Sequence, residues 1–532
     1  MNFKKRSFVC LLLLFLILNP MISAVFAGEN QSDSKETELK TITIALDTAS
    51  VTTNDPHNHR DRNTETVIRM WTDALAQQTP DGAMHLDLAE SITWLDELNL
   101  EVKLRQDVTF HNGDPMTADD VKFTIERKEL DGGMEGKTSP RKGMTGPVEA
   151  VKVIDDYTIV ITYKVPNDLD MTWGNNTLYG TEIIPKKYIE EVGIEGFLEH
   201  PIGVGPFKWV EGILNEYIVL ERYEDYYGGL DKLPGEVDRI PALDRIIVRF
   251  IPEATTRVAA LLAGDVDIIQ NVPFDSVQLL ESNPNTKVMG QKGTSISAIW
   301  FNHNKAPFND KRFRQAVAYA IDYDLIVEKM LLGFAEPLKG RPFIEPKPSS
   351  PYYGAFDDVK SPYHYNPEKA RALLEEIGVD ELSLVIDTTT ADSEVSQVIA
   401  QMLGDVGIDA SVRVWEQAVI REEFAKGQRD IFVHRWGISS RMPNWIKRVA
   451  CTRGNFGNYT DQTIYDLIWP AHTMPYSQEA VDMIIEAYEF AMEELPVISL
   501  HVENVLEACR TNVKNFVPHT AGRIFVQRLD IE

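Results

Sequence analysis

Residues 102–123 read VKLRQDVTFHNGDPMTADDVKF, and three structural signals follow one another in this stretch. Apolar and polar residues alternate from 100 to 104, which is the period of a half-buried strand. The Asn-Gly pair that follows favours a tight turn. Thr117, with Asp120 three residues later, predicts a capping box and therefore the start of a helix. The stretch thus predicts a strand, a turn and a helix, as expected for an α/β fold.

Further elements are predicted on both sides of this stretch. Alternating residues predict strands at 41–46, 151–153 and 158–163. After about residue 290, helices and short strands follow one another: residues 313–321 have helical spacing, and Asn366-Pro367 begins a helix that ends before Gly378. A strand at 382–386, a helix at 394–403 and a strand at 410–414 form a βαβ unit. We therefore expect parallel sheet in the second half of the chain.

The composition is that of an ordinary globular protein. The chain has 532 residues, of which 43% are hydrophobic and 25% are charged. Its 81 acidic residues outnumber its 53 basic residues and give a formal net charge of −28. Because such an excess repels phosphate backbones and anionic lipids, we expect no nucleic-acid partner.

The N-terminus has the features of a cleaved signal peptide. Basic residues at 4–6 precede an apolar run at 8–18, and small residues around Ala27 suit a signal peptidase. We expect cleavage after Ala27 and a flexible leader at 28–40. Cys10 does not follow the apolar run, so we expect no lipid anchor; a retained membrane anchor is the alternative. No later run is apolar enough to cross a bilayer, so we expect no membrane insertion after cleavage.

The two cysteines that remain after cleavage are Cys451 and Cys509. Two thiols do not form a disulfide scaffold, and no CxxC pair indicates zinc or redox chemistry. An oxidising compartment would permit one bridge between them. The sequence leaves that bridge open, because it does not report the Cα–Cα distance that a disulfide requires.

The short motifs of common enzymes are absent from the sequence: it has no GxSxG, HExxH, P-loop or dinucleotide motif. The segment 203–205 (GVG) lacks the third glycine of a dinucleotide motif and predicts a tight turn. Asp55, His57, His59 and Asp61 alternate in a way that suits a metal ion. A polar loop after the first strand explains the same residues, and we expect no catalysis, no cofactor and no metal site.

Several segments together resemble the peptide/nickel-binding solute receptors of ABC importers, family 5 of the large periplasmic binding proteins. The matching segments are LAESITW at 88–94, the stretch 102–123, GVGPFK at 203–208, VLER at 219–222, YYGG at 226–229, RVAALLAGDVDI at 257–268, FN at 301–302 and FRQAVAYAID at 313–322. The resemblance covers nearly the whole mature chain, in the family's order.

The resemblance implies a two-lobed α/β fold of the large class, with a hinge between the lobes and the ligand in the cleft between them. The implied divisions are 1–27 signal peptide, 28–40 leader, 41–80, 204–290 and 500–532 lobe one, 81–203 extra domain, and 291–499 lobe two. It also implies a periplasmic monomer that captures a small peptide-like or other carboxylate-bearing solute for an inner-membrane ABC permease with its ATPase. The alternatives are a nickel-chelate receptor using His57 or His59, a chaperone or chemosensory receptor on the same fold, and a periplasmic hydrolase.

Residues 434–445 read HRWGISSRMPNW and bear most directly on the ligand. In peptide-binding family members, acidic residues flank a proline in this segment and supply an aspartate for the ligand's ammonium. This chain keeps Pro443, but Met442 and Asn444 occupy the flanking positions. The sequence therefore leaves an ammonium partner unassigned.

Arg435 and Arg441 add positive charge to the same segment, and a guanidinium suits bidentate binding of a carboxylate. Arg441 matches an arginine of glutathione-binding relatives, and Trp436 resembles the family's pocket-wall aromatic residue. Arg141 would add a second anion contact, as in nickel-complex receptors. We predict all four as ligand-binding residues; structural ion pairs are the alternative for the arginines, and core packing is the alternative for Trp436.

Overall fold

The computed structural model places the alternating segment near the start of the mature chain in the middle of a large mixed sheet. The described residues are 39–49, 51–78, 84–165, 178, 180–228, 241–346, 350, 352–378, 382–416, 419–420, 423–424, 426–437, 446, 449, 458–473 and 476–532. The predicted signal peptide and most of the leader lie outside them. None of the helices in these ranges is long and apolar enough to cross a membrane.

Among the described residues, eleven strands lie in the first part of the chain. The strands are β1 (Thr41–Leu46), β2 (Ala76–Gln78), β3 (Met84–Leu86), β4 (Ala89–Trp94), β5 (Asn99–Leu104), β6 (Val148–Asp155), β7 (Thr158–Tyr163), β8 (Phe207–Ile213), β9 (Tyr217–Arg222), β10 (Arg245–Phe250) and β11 (Ile268–Ile269). The helices are α1 (Arg62–Trp71), α2 (Ala118–Glu129), α3 (Lys186–Glu199), α4 (Ala254–Ala263) and α5 (Val277–Glu281).

The second part of the chain alternates longer helices with strands. The strands are β12 (Thr286–Phe301), β13 (Ala335–Pro337), β14 (Ser383–Thr389), β15 (Asp409–Trp415), β16 (Ile431–Gly437), β17 (Val497–Arg510), β18 (Val513–Lys514) and β19 (Asp530–Ile531). The helices are α6 (Lys311–Ala320), α7 (Tyr323–Leu325), α8 (Pro367–Ile377), α9 (Ser393–Asp405), α10 (Gln462–Thr473) and α11 (Gln478–Glu494).

The stretch 102–123 forms the strand, turn and helix that its sequence predicts. β5 lies inside a four-stranded sheet of order β4-β5-β7-β6, and α2 packs on that sheet. The carboxylate of Asp120 accepts hydrogen bonds from the backbone N–H and the hydroxyl of Thr117, at 2.9 and 3.0 Å. Val102 and Val121 are fully buried between sheet and helix. This sheet therefore has a hydrophobic core of its own.

The large sheet has the order β15-β14-β16-β12-β17-β11-β1-β10-β9-β8. At one end β1 runs parallel to β10 and β11, and its residues Ile42 and Ile44 pack against α1. At the other end β14, α9 and β15 form a βαβ unit whose strands pair in parallel. The prediction of parallel sheet in the second half of the chain is confirmed.

The GVG segment at 203–205 forms the predicted tight turn, and the close approach of another backbone explains its glycines. The N–H of Gly205 donates to the carbonyl of Trp71 at 3.1 Å. A Cβ atom on Gly203 or Gly205 would collide with the backbone at Trp71. Only glycine allows this contact between the end of α1 and the turn.

Cys509 is a free, fully buried thiol on β17. Burial raises its pKa to about 11, so the thiol stays protonated at neutral pH. Cys451, the partner in the bridge that the sequence left open, lies outside the described residues.

Glu507, also on β17, is a fully buried carboxyl group whose two oxygens accept no hydrogen bond within the described chain. Burial raises its pKa to about 8; Arg62 opposes this rise and Asp47 adds to it. A buried carboxyl without a partner is stable only in its neutral form. Glu507 therefore holds a proton at neutral pH.

We expect Glu507→Gln to stabilise the protein at alkaline pH. Between the ordinary pKa of 4.5 and the folded value of about 8, the unfolded carboxyl ionises while the folded one keeps its proton. Rising pH therefore lowers the wild-type free energy of unfolding across this window, by on the order of 4 kcal/mol, and the variant lacks this loss. Urea unfolding at pH 4.5, 6 and 8 measures the difference. The exposed Glu281→Gln serves as control, and a wild-type minus variant difference that does not change with pH would refute the assignment.

Candidate functional site

The long strands β12 and β17 pass through both halves of the large sheet. Residues 286–292 pair with 504–510, next to β11, whereas 296–300 pair with 497–502, next to β16. The pairing is interrupted between Lys292 and Ile296. This interruption separates a first lobe built around β1 from a second lobe built around β14 and β16.

Each lobe contains a set of parallel strands whose carboxyl ends precede polar segments. β1, β10 and β11 are parallel in the first lobe, and β14, β15 and β16 are parallel in the second. Ligands of α/β sheets bind beyond the carboxyl ends of parallel strands. Arg435 and Trp436 lie near the carboxyl end of β16, and Arg441 follows this strand outside the described residues.

Arg435 is bound to two carboxylates of its own chain. Its Nε donates to Asp392 Oδ1 at 2.8 Å, and its Nη1 donates to Glu503 Oε2 at 2.6 Å. Its Nη2 donates to the carbonyl of Ala391 at 2.9 Å. Burial alone would lower the pKa of Arg435, but the two carboxylates more than offset this and raise it. Its charge is therefore already compensated inside the protein.

Trp436 faces the opposite side of β16, because neighbouring residues of a strand point to opposite faces. It is half-buried and packs near Trp300, with ring centroids 6.3 Å apart. It belongs to an apolar cluster with Ile296 and Phe432, whereas Val433, on the face of Arg435, belongs to the other core of this lobe. The structure does not bring the side chains of Arg435 and Trp436 together. Their contact with a ligand stays a prediction.

Asp392 and Glu503 are two functional candidates that the sequence did not indicate. Asp392 is buried at the start of α9, and Ser297 on β12 donates to its Oδ1 at 3.3 Å. Glu503 lies on β17 beside His501, whose Nε2 is 3.5 Å from Glu503 Oε1. Burial alone would raise the pKa of Glu503, but His501 and Arg435 more than offset it, so its pKa is lowered. Glu503 is therefore ionised at neutral pH.

The first lobe presents a polar edge directly after β1 and β11. Asp47 accepts hydrogen bonds from Asn63 at 2.7 Å and from Asn271, and Arg62 contacts it at 3.4 Å. The side chain of Gln270 accepts from the backbone N–H of Asp47 at 3.3 Å. Asp47, Gln270 and Asn271 directly follow short apolar strands in the sequence, and that position is the signal that would have indicated them.

Arg141 lies inside a buried ionic network rather than at a surface. It is 1% exposed, and its guanidinium donates to Glu182 at 3.2 Å and to the carbonyl of Pro56 at 2.9 Å. Glu182 is fully buried and also accepts from Arg69 at 2.9 Å. The network joins α1 to the segments around 141 and 182. Contact of Arg141 with a ligand stays a prediction.

His57 and His59 are buried in the same region and each accepts from an arginine. Arg127 donates to His57 Nδ1 at 3.0 Å, and Arg141 donates to His59 Nε2 at 2.7 Å. Burial first, and then the nearby arginines, lower the pKa of both imidazoles. A neutral imidazole has one lone pair for a donor or a metal, and here an arginine uses it. This geometry does not suit the nickel-binding role considered for His57 or His59.

No group of three or more metal-ligating side chains occurs within the described ranges. Asp55, which the sequence placed in the same candidate group, accepts from Arg127 Nη1 and Nη2 at 2.9 and 2.8 Å. Asp55, His57 and His59 therefore lie in a buried loop whose polar groups bind arginines, whereas Asp61 caps the start of α1. This agrees with the polar loop that the sequence offered as the alternative to a metal site, except that the loop is buried.

The sequence of this chain is similar to those of known solute-binding proteins. The family model described as bacterial extracellular solute-binding proteins, family 5 Middle, matches residues 83–456. The chain is 30% identical over 380 residues to the oligopeptide-binding protein AppA of Bacillus subtilis, covering 67% of this chain and 66% of that protein. It is 26% identical over 496 residues to the glutathione-binding protein GsiB of Escherichia coli O1:K1, covering 90% of this chain and 92% of that protein.

The fold also matches solved structures. The ABC transporter-associated periplasmic binding protein DppA of Helicobacter pylori, in complex with the peptide STSA, superposes with a TM-score of 0.75 at 23% identity. The match covers 94% of this chain and 99% of that chain. The prediction of a two-lobed α/β fold is confirmed by this likeness.

We expect Arg141→Met to destabilise the protein by about 3–5 kcal/mol, because it leaves the buried Glu182 without one of its two cationic partners. The partly exposed Arg312→Met, which breaks pairs with Asp310 and Glu376, should shift the unfolding midpoint far less, because solvent screens these surface pairs. Urea unfolding measures both values. An Arg141 that acted only as a ligand contact would leave the unfolding midpoint unchanged.

Proposed function

The chain belongs to family 5 of the bacterial extracellular solute-binding proteins, and we propose that it captures a small solute outside the cytoplasmic membrane for an ABC importer. The solute is peptide-like or another small molecule that carries a carboxylate. The observation that carries this proposal is the pair of lobes joined by β12 and β17, with polar segments at the carboxyl ends of the parallel strands in each lobe.

The relatives support a peptide-like solute. Two of them are named for oligopeptide and glutathione binding, and a third has the same fold and holds a peptide. Both kinds of ligand combine an amide backbone with carboxylates. Alignment of GsiB over 90% of the chain makes the comparison relevant to both lobes.

The binding mode is closure of the two lobes over the solute. Two strands that cross between lobes form a hinge, and closure removes water from the bound molecule. Arg441 grips the carboxylate and Trp436 packs against the apolar part of the solute. The guanidinium groups of Arg435 and Arg141 already bind carboxylates of the protein. Each would contact the solute while keeping these ion pairs.

Export and delivery complete the proposal. The signal peptide is cleaved after Ala27 without a lipid anchor, and the mature monomer acts in the periplasm. It passes its solute to an inner-membrane permease coupled to an ATPase. N-terminal sequencing of the protein from a periplasmic extract should begin at about Gly28; retention of Met1 in a membrane fraction would contradict this route.

Native mass spectrometry of protein purified without dialysis tests the receptor function, because a closed cleft retains its solute. We expect a bound molecule of low mass that is released on denaturation and is returned unaltered. Turnover of the released molecule, or of a chromogenic ester, would support the hydrolase alternative. A protein that carries no small molecule and binds none from a periplasmic metabolite extract is not a solute receptor.

We expect Arg441→Ala to weaken binding of the molecule so identified by about 2–5 kcal/mol, because a buried carboxylate loses its partner. The fold should be unaffected, since Arg441 stands in a polar segment beyond the end of β16. Titration calorimetry measures the affinity, with the exposed Arg249→Ala as control. An affinity equal to that of the control variant would exclude Arg441 from the site.

A further inference from the structure

Glu503 stands at the point where β17 passes from one lobe to the other. Lys292 and Ile296 on β12 pair with Asn504 and Val502 on β17. Three residues, 293–295, lie between the first two, whereas only Glu503 lies between the second two. The three residues of β12 therefore stand opposite this single residue of β17. The strands approach closely here, and a Cβ atom on Gly293 would collide with the carbonyl oxygen of Glu503. Glu503 is thus the β17 residue nearest to the boundary of the two lobes.

The cluster around Glu503 contains two carboxylates and one arginine, with His501 3.5 Å from Glu503. Asp392 and Glu503 bind the single cation Arg435, with contacts of 2.8 and 2.6 Å. The neighbouring cations Lys292 and Arg341 pair with a different carboxylate. Both bind Glu336, which pairs with Val502 and therefore lies on the opposite face of the sheet.

The same cluster contains polar atoms that lack a partner. Asp392 Oδ2 and Glu503 Oε1 accept no hydrogen bond from the described residues. His501 is 1% exposed, and neither of its ring nitrogens makes a hydrogen bond within the described chain. Its Nε2 points to Glu503 Oε1 from 3.5 Å, which is too long for a good hydrogen bond. A buried acceptor without a donor is unfavourable, so a donor on the solute would stabilise these oxygens.

We propose that Glu503 receives an ammonium group of the solute, with Arg435 holding the other carboxylate oxygen and His501 beside it. This inference rests on the proposed receptor function. Closure buries two carboxylates that share one guanidinium, and a cationic group on the solute offsets the cost of that burial. An ammonium group donates three hydrogen bonds and accepts none, which suits the open carboxylate oxygens Asp392 Oδ2 and Glu503 Oε1.

The assignment makes the solute a zwitterion and resolves a question that the sequence left open. Met442 and Asn444 stand where peptide-binding relatives have acidic residues, so an ammonium finds no carboxylate there. Glu503 supplies that carboxylate from β17 instead.

A mixture of alanine peptides of two to five residues, and the same mixture with acetylated N-termini, tests this proposal. Acetylation removes the ammonium and leaves the carboxylate. Calorimetry with wild-type protein should show binding of the free peptides about tenfold tighter or more than the acetylated ones. Glu503→Gln should weaken the free peptides by a similar factor and bind both mixtures alike.

Glu423→Gln is the matched control, because Glu423 also pairs with two cations, Lys426 and Arg429, but lies outside the boundary of the lobes. It should keep the wild-type preference, and both variants should keep the wild-type melting temperature within a few degrees. Equal binding of free and acetylated peptides by wild type, or an unchanged preference in Glu503→Gln, overturns the inference and leaves the receptor function standing. Binding of neither mixture also overturns it, and the receptor function then depends on the native mass measurement alone.

Discussion

The backbone pairing of β12 with β17 is the constraint on which the two-lobed arrangement depends. Both strands are long enough to give hydrogen bonds to each lobe, and together they occupy the middle of the large sheet. Buried N–H and C=O groups must be paired, so the strands cannot separate within either lobe without a large loss of stability. The interruption opposite Glu503 is where bending disturbs the fewest hydrogen bonds. The boundary between the lobes and the meeting of Arg435 with Glu503 follow from this crossing.

Buried arginines compensate the charge of buried carboxylates in this acidic protein. Arg69, Arg127 and Arg141 hold carboxylates that would otherwise be buried without compensation. Each donates through a planar guanidinium, which satisfies two or three acceptors at once. The pairs join α1 and the loop after β1 to the four-stranded sheet and its connecting segments. A buried pair of this kind resists the loss of either partner, so it favours one arrangement of the two parts.

The elements of the fold were largely predictable, whereas the directions of the candidate side chains were not. The strand at β1, the helix after Thr117 and the βαβ unit at 382–414 repeat patterns of period 2 and 3.6 that local sequence displays directly. Arg435 and Trp436 are neighbours in the sequence and were expected to act together. Because side chains alternate along a strand, the two lie on opposite faces of β16 instead. The sequence did not indicate where β16 ends, because this segment mixes aromatic and charged residues.

The sequence by itself determined the α/β class, the order of the elements and the family resemblance, because these depend on short-range periodicity and on motifs read in order. Only the tertiary structure decided which charges meet. Asp392, Arg435 and Glu503 are separated by 43 and 68 residues along the chain, and they meet because β16, β12 and β17 are adjacent in one sheet. In the same way His57 and His59 have the spacing of metal ligands, but the folded chain directs Arg127 and Arg141 onto their nitrogens. Electrostatic balance is a sum over neighbours in space, so a pattern along the chain does not contain it.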